Sequence, residues 1–560
     1  VDRGLDRDGT SIDYFGGGAD SASGKNIFMR RILTWLAPSI FLGIFFFYPL
    51  SRILGRGLDP AVLLDGGTLR LTWDVFLFTL YQAALSTLLT LVIGIPGAYL
   101  FSHFTFPGKG WLRTLTAIPF ILPTVVVAAG FNALLGPRGW VNLGLMGLFK
   151  LDQPPIAFLY SLGAILLAHV FYNTTIVLRI VGNAWGQLDP RLEQAARVLG
   201  ANPARVLRTV TLPLLRPAIL AAGLLVFLFD FTSFGVILLL GGPHFATLEV
   251  EIYIQSMQML NLPVASLLSI IQLLCTLAFS IFYSRLVTHV SIPTAPRAAE
   301  ERLHPARTAR QRVFLAGMLS LLFIFFVAPL AALPLRSVTR LEAARGQRTS
   351  VQSGLTLDYY KELFINRRDS LFYVPPIDAL RNSLTYAGMT VVLSLAMGFP
   401  AASALAKPGK LEKYIDPFLM LPLGASAVTL GLGYILAFNK PPLALLTWPW
   451  LVPLAHSTIA LPFVIRNLQP ALAAIPDKLR EAASTLGATP LRVWWTVDWP
   501  IVSRATLSAA AFAFTISLGE FGATSLLVRP EYPTLPTAIY RFLSQPGGLN
   551  YGQALAMASI

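Results

Sequence analysis

Charge is scarce in this chain. Only 13% of its 560 residues are Asp, Glu, Lys or Arg, against 55% hydrophobic, and mean hydropathy is +0.63. A soluble protein uses about 25% charged residues to clothe its surface. That excludes an ordinary soluble enzyme and a disordered chain, and it leaves much of the surface to lipid. Cysteine is nearly absent. Cys275 is alone, so no internal disulfide forms, and in its apolar run it reads as a small packing residue. Acidic residues are also short, 28 against 43 basic, for a net charge of +15. On a soluble protein that excess would suggest nucleic acid. On a membrane chain it marks cytoplasmic loops and contact with anionic lipid, and no nucleic-acid partner is expected. A phosphate-binding loop is missing too. The stretch GGGADSASGKN ends in Gly24-Lys25, but no Gly stands five positions before that pair, and Asn26 replaces the required Ser or Thr.

What is present is a series of apolar runs. A membrane-crossing helix needs about 20 mostly apolar residues. Eleven stretches qualify: Ile32–Leu50, Leu77–Phe101, Leu112–Leu135, Tyr160–Leu178, Ala218–Leu240, Ala265–Ile281, Val313–Leu335, Ser383–Leu405, Phe418–Phe438, Leu451–Ile465 and Ala505–Leu527. A twelfth starts near Tyr551 and stops at Ile560, too short to cross, so the sequence predicts a truncated last helix. Residues 1–28 read as a disordered polar tail, or as a stretch upstream of a true start at Met29. With the N-terminus in the cytoplasm, the cytoplasmic segments hold 27 basic residues against 8 in the shorter outer loops. The excess of Lys and Arg on one side therefore predicts a multi-pass membrane protein with a cytoplasmic N-terminus.

The chain contains one module twice. At a shift of 287 residues, Leu167-Ala168-His169 matches Leu454-Ala455-His456, Leu199-Gly200-Ala201 matches Leu486-Gly487-Ala488, and Phe234-Gly235 matches Phe521-Gly522. Pro203, Pro213 and Tyr253 match Pro490, Pro500 and Tyr540. An even number of spans per copy places both copies the same way up, about an axis along the membrane normal. The predicted fold is all-α: a polytopic membrane protein of two parallel six-helix repeats, residues 29–290 and 313–560, joined by a Pro- and Arg-rich cytoplasmic linker at 291–312. Parallel repeats about a central axis are a transporter architecture, since the halves can rock around a pathway between them.

Two cytoplasmic loops carry the most information: LDPRLEQAARVLGANPARVLRTVTLPLLRP from Leu188, and IPDKLREAASTLGATPLRVWWTVDWP from Ile475. Each predicts a short helix with small residues on one face, a turn at Gly200 or Gly487, a Pro three positions later (Pro203, Pro490), and an end at Pro213 or Pro500. Gly suits the helix end because it accepts positive φ, and the following Pro starts the next helix with φ already set. Paired alanines, Ala195-Ala196 and Ala482-Ala483, let a partner backbone approach closely. Such a rigid knob is a docking element without a catalytic set. The other reading is a basic amphipathic helix lying on lipid.

These loops resemble the EAA loop of bacterial ABC-importer permeases, with Glu481-Ala482-Ala483, Gly487 and Pro500 on the pattern. The first copy departs from it, with Gln194 at the Glu position and Glu193 one residue earlier. The resemblance implies two fused type I importer halves. Each loop would seat in a groove of one subunit of a separate ATP-binding subunit dimer, and substrate would arrive from an extracytoplasmic binding protein. ATP and Mg would be held by the ATPase, with no cofactor in this chain, which is then a transport subunit and no enzyme. Together with the fused arrangement, AILLAHVFYN (164–173), GGPHFATLEVEIY (241–253) and SLGEFGATSLL (517–527) look like the thiamine permease branch, close to the iron(III) permeases. Thiamine or a related organic cation is favoured over iron(III), because no dense cluster of oxygen ligands for a hard cation stands in the spans.

Asp230 and Glu520 lie in the fifth span of their halves, three positions out of register at the 287 shift. Two readings stay open: a hydrogen bond that holds helices together, or an acidic lining that favours a cationic substrate. His169 and His456 read as interhelical hydrogen-bonding or packing groups, and Arg179 and Arg466 as helix-end residues facing the cytoplasm. No metal site is expected. An ion-coupled secondary transporter is the rival from another class, since it also has two parallel halves. A membrane enzyme would want a cluster of catalytic groups, and none is visible.

Overall fold

The computed structural model describes residues 35–288, 303–340, 354–366, 373–406, 409–441, 443–545 and 547–560. The predicted tail 1–28 and most of the predicted linker 291–312 lie outside these residues. Among the described residues the regular structure is helical apart from a two-residue antiparallel pairing of Thr339–Arg340 with Gly354–Leu355 and an isolated parallel bridge between Phe104 and His304. Nine helices among the described residues are long and apolar enough to cross a membrane, or eleven if two sharply bent pairs each count as one span. Counted in that way, span 1 is Trp35–Gly57, span 2 Gly66–His103, span 4 Leu162–Gln187, span 5 Pro203–Phe231 and span 6 Leu262–Leu286. In the second half, span 7 is Ala309–Ser337, span 8 Pro376–Ala406, span 10 Leu451–Ala473 and span 11 Pro490–Gly519. A last helix runs over Gly548–Ser559.

Spans 3 and 9 correct the sequence reading. Leu112–Leu135 and Phe418–Phe438 are not straight crossings. Lys109–Ile121 meets Thr124–Phe149 at 110°, and Tyr414–Leu423 meets Ala427–Phe438 at 98°. Pro123 forces the first bend: it lacks an N–H and pushes Leu122 into extended backbone, ψ 141°. At the second, Pro422 and Gly424 interrupt the helix, and extended Ser426 caps the next one by accepting from the Thr429 N–H at 3.0 Å. The fifth spans are interrupted as well. Ala218–Leu240 breaks after Phe231 and resumes at Gly235, and Ala505–Leu527 breaks after Gly519 and resumes at Gly522. At Gly235 the backbone passes so close to Thr124 that a Cβ would fall 2.2 Å from its Oγ1. Glu520 is extended, and its carboxylate accepts from the N–H groups of Ala523 and Thr524 at 2.8 and 2.9 Å, starting a new helix there.

The core is built by exchange between halves. The first helix of each half packs on the bent third span of the other. Phe45 of span 1 lies 6.4 Å from Tyr434 and 6.0 Å from Phe438, and a Cβ on Gly433 would sit 3.0 Å from Pro49. Reciprocally, span 7 presses Pro329 against Gly130, where a Cβ would fall 2.7 Å from the Pro329 carbonyl. The glycines give the two helices room for backbone contact. Spans 4 and 10 are the most enclosed, 72% buried over their apolar windows, against 22% for spans 7 and 11. The outer faces carry exposed Leu88, Val92, Leu274, Ile324, Val392 and Leu507, the apolar rim a lipid-facing surface requires.

Candidate functional site

The two loops between spans 4 and 5, and between spans 10 and 11, fold alike. Pro190–Val198 and Asp477–Thr485 are short helices without a buried residue. Asp189 caps the first by accepting from the Arg191 N–H at 2.9 Å. Each ends at a left-handed glycine, Gly200 with φ 85° and Gly487 with φ 81°. The N–H of the next residue reaches back to the helix, Ala201 to the Ala196 carbonyl and Ala488 to the Ala483 carbonyl, both at 3.0 Å. Asn202 and Thr489 then cap the helices that begin at Pro203 and Pro490. Those helices do not end at Pro213 and Pro500, as the spacing suggests. They widen into one π-turn at Leu207–Thr211 and Trp494–Asp498, which makes room for the proline ring, and continue as spans 5 and 11. Each loop is thus the rigid end of a long helix.

Gln194, Ala195, Glu481 and Ala482 are exposed, and Ala196 and Ala483 half-buried. Beside them stand bare apolar side chains, Leu199 and Leu486, each 88% exposed. An apolar knob held off the bundle by a rigid turn is a surface for a protein partner. The loops sit at the end of the bundle where span 7 begins. Trp185 packs on Tyr99 at 5.3 Å and on His103 at 5.5 Å, and Tyr99 on Phe314 at 5.7 Å.

Glu193 has a role that the loop pattern hides. Its carboxylate accepts from Thr211 Oγ1 at 2.9 Å, tying the loop helix to the start of span 5. In the second half the same two positions hold Arg480 and Asp498, and Arg480 Nε donates to Asp498 Oδ1 at 2.8 Å. The staple is kept while its chemistry changes. The signal was in the sequence, since Glu193 with Thr211 becomes Arg480 with Asp498 at the 287 shift. Arg480→Glu should place like charges across this contact and cut any activity that depends on the loop. Arg480→Glu with Asp498→Arg should recover most of it, and import in reconstituted vesicles measures both. A single variant that imports like the unmodified protein removes the staple.

The second cluster lies inside the bundle. His169 Nε2 is 2.8 Å from Ser233 Oγ, and its Nδ1 is 3.4 Å from Asp230 Oδ1. His456 Nδ1 is 2.7 Å from Ser517 Oγ, and its Nε2 is 2.8 Å from Thr524 Oγ1 and 3.1 Å from Glu520 Oε2. Asp230 corresponds to Ser517, and Ser233 to Glu520. His456 therefore bridges two hydroxyls and a carboxylate, while His169 holds Ser233 and stands beside Asp230 without a hydrogen bond at Nδ1, with carboxylate and hydroxyl exchanged between the ring nitrogens. Both histidines are buried and join span 4 or 10 to a broken fifth span, the interhelical role expected of them. Asp230 and Glu520 are buried too, each held by groups of its own half, and the structure does not bring their carboxylates together.

Sequence reading missed Asn173 and Gln82. Asn173 Nδ2 donates to Asp230 Oδ1 at 2.6 Å, and Gln82 Nε2 to the Asp230 carbonyl at 2.9 Å. Asn173 is four residues after His169, one helical turn on the same face, and that spacing was the available signal. Glu249, within the noted segment 241–253, is also buried, and accepts from Gln272 Nε2 at 3.0 Å. Arg466 pairs with Asp416 at 3.1 Å, joining span 10 to the first arm of span 9. Among the described residues no three of His, Cys, Asp and Glu gather to hold a metal.

Two fused halves about one axis, broken helices beside it and paired knobs at one end define a polytopic transport subunit. The profile described as "Binding-protein-dependent transport system inner membrane component" matches residues 91–292 and 394–558, once in each half, and the chain belongs to that family. It is 28% identical to the thiamine transport system permease protein ThiP of Brucella abortus over 90% of this chain and 87% of that protein. It is 26% identical to the protein of that name from Escherichia coli, over 85% of each chain. A putative 2-aminoethylphosphonate transport system permease protein, PhnU of Salmonella paratyphi A, is 29% identical over 95% of its own length and 48% of this chain.

Proposed function

We propose that this chain is the permease of an ATP-driven importer for a small organic cation of the thiamine kind. The observation that carries the reading is the alignment of thiamine permeases along both halves, knob loops included. The chain would lie in the inner membrane with its N-terminus and both knobs in the cytoplasm. Gln194–Gly200, Pro203 and Pro213, with Glu481–Gly487, Pro490 and Pro500, would seat in the two subunits of a separate ATPase dimer that holds ATP and Mg. Closure of that dimer would draw the knobs together. Because each knob is the rigid end of span 5 or 11, the movement would pass along those helices to the axis between the halves and open it outward. A binding protein would deliver substrate there, and hydrolysis would return the halves inward. Asp230 and Glu520 would add negative potential beside the path.

The test is uptake of labelled thiamine into vesicles that contain this chain with its ATPase and binding protein. Uptake should require ATP, the ATPase and loaded binding protein. Uptake driven by an ion gradient without ATP would make it a secondary transporter. Uptake of iron(III) in place of thiamine would move it to the iron branch.

A further inference from the structure

Phe234 and Phe521 are repeat equivalents at the 287 shift, and they stack on each other with centroids 5.5 Å apart and planes 25° from parallel. A residue that touches its own equivalent lies on the axis relating the two copies. This stack therefore marks the point where the pseudo-twofold passes between the halves. A second equivalent pair surrounds it. Tyr253 lies 5.4 Å from Phe234, Tyr540 lies 5.2 Å from Phe521, and the two phenols are neighbours. Four aromatic rings meet on the axis, two from each half.

Their mounting is unusual. Both phenylalanines stand in the breaks of the fifth spans, between Phe231 and Gly235 and between Gly519 and Gly522, outside regular helix. Gly235 follows at once, and a Cβ there would come within 3.1 Å of Phe521 Cδ1. The breaks are fixed from behind by the two histidine bridges. Glu520 directly precedes Phe521, and Asp230 stands four residues before Phe234. The rings thus sit on the two helices whose far ends are the knobs, with a buried carboxylate behind each.

We infer that this quartet is a stacking station for a planar organic cation on the transport axis, so that Phe234 and Phe521 hold each other when the halves are together and hold the substrate ring between them when the halves part. This rests on the reading of the chain as an importer of an organic cation. A planar ring needs about 3.5 Å on each face, so the centroids must move from 5.5 Å to roughly 7 Å. That is a small displacement for helices that rock as rigid bodies. The electron-rich ring faces attract a cation, and the two phenols offer hydrogen bonds at the rim. For a hard metal ion, which takes about six or more oxygen ligands, the two phenol oxygens of the quartet are too few.

The test uses the full complex in vesicles with saturating loaded binding protein, and reads thiamine imported per ATP hydrolysed. Phe234→Leu with Phe521→Leu keeps apolar bulk and removes the π faces. Import per ATP should fall about tenfold, the value of one to two cation–π contacts, while hydrolysis stimulated by the binding protein persists. Phe234→Tyr with Phe521→Tyr should stay near the unmodified complex. If the double leucine variant does not assemble, Phe521→Leu alone should give a smaller drop, and unchanged import overturns the inference. Equal import by the leucine and unmodified complexes overturns it while leaving the thiamine reading intact. A tyrosine pair that fails as badly as the leucine pair also overturns it. No thiamine uptake by the unmodified complex removes the substrate reading and the inference together.

Discussion

Gly487→Val should uncouple ATP hydrolysis from import while leaving the permease folded. Gly487 closes the helix Asp477–Thr485 with φ 81°, in the left-handed region where a β-branched residue is strained. A Cβ there would meet nothing within 4 Å, so the effect is separable from a steric clash. What changes is the backbone. A strained position of this kind costs about 1–3 kcal/mol, and on an exposed loop the chain relieves that cost by shifting the turn. The shift would break the bond from the Ala488 N–H to the Ala483 carbonyl and re-aim the knob, including Leu486. Docking geometry would be lost and the bundle, which does not touch this turn, would stay intact. Import should drop about tenfold or more at equal membrane abundance, in line with the 1.4 kcal/mol that each factor of ten represents. Asn tolerates positive φ better than Val, so Gly487→Asn should fall between Val and Gly. Gly200→Val, with φ 85° and equally open space, should repeat the loss from the other half. ATP-driven uptake and ATPase stimulation, measured side by side, decide it. A valine variant that imports like the unmodified complex refutes the role of the turn.

The knobs were legible because their signals are local: a cap, a left-handed glycine and a proline at fixed spacing need no tertiary context. The repeat was legible because identities persist at one shift. The bends were not. Pro123, Pro422 and Gly424 stand in apolar runs that read as continuous, and membrane helices tolerate Pro and Gly when neighbours satisfy the freed backbone groups, so their presence alone does not decide between a kink and a break. The ends of spans 5 and 11 were misplaced for a related reason. Composition is the same on both sides of Thr232 and Glu520, and only the close approach of Thr124 to Gly235, or the capping by the Glu520 carboxylate, stops the helix there. The exchange of spans 1 and 7 between halves is purely tertiary. It rests on contacts such as Gly130 with Pro329 and Gly433 with Pro49, which no periodicity reveals. The acids were found as individual residues, and their partners were not. The three-residue offset between Asp230 and Glu520 accompanies an exchange of carboxylate and hydroxyl around the two histidines. It is one histidine bridge built in two orders.

That bridge predicts an asymmetric loss of stability. His456→Leu should destabilise the permease strongly, and His169→Leu less. The Glu520 carboxylate lies 3.1 Å from His456 Nε2, and both groups are buried. Removing the imidazole leaves a buried carboxylate beside leucine, and stripping one partner from such a pair costs about 3–5 kcal/mol. The contacts that remain to Glu520, from the Ala523 and Thr524 N–H groups and from Thr524 Oγ1 at 2.6 Å, keep the lower end of that range in force. In the first half the bridge is looser, with His169 Nδ1 3.4 Å from Asp230, and Asn173 already donates to that carboxylate at 2.6 Å. Asp230 therefore keeps its closest partner when the imidazole goes, and the loss should be nearer the 1–3 kcal/mol of an ordinary buried polar group left unsatisfied. The charge argument has its own control. Glu520→Gln in the His456→Leu background removes the buried charge and keeps a side-chain carbonyl for the helix cap, so the double variant should be more stable than His456→Leu alone. Thermal unfolding of the detergent-solubilised complex gives the ranking: unmodified above His169→Leu, above the double variant, above His456→Leu. Equal losses from the two histidines, or no recovery in the double variant, would show that the imidazoles act by packing and that the exchanged carboxylates carry no electrostatic weight.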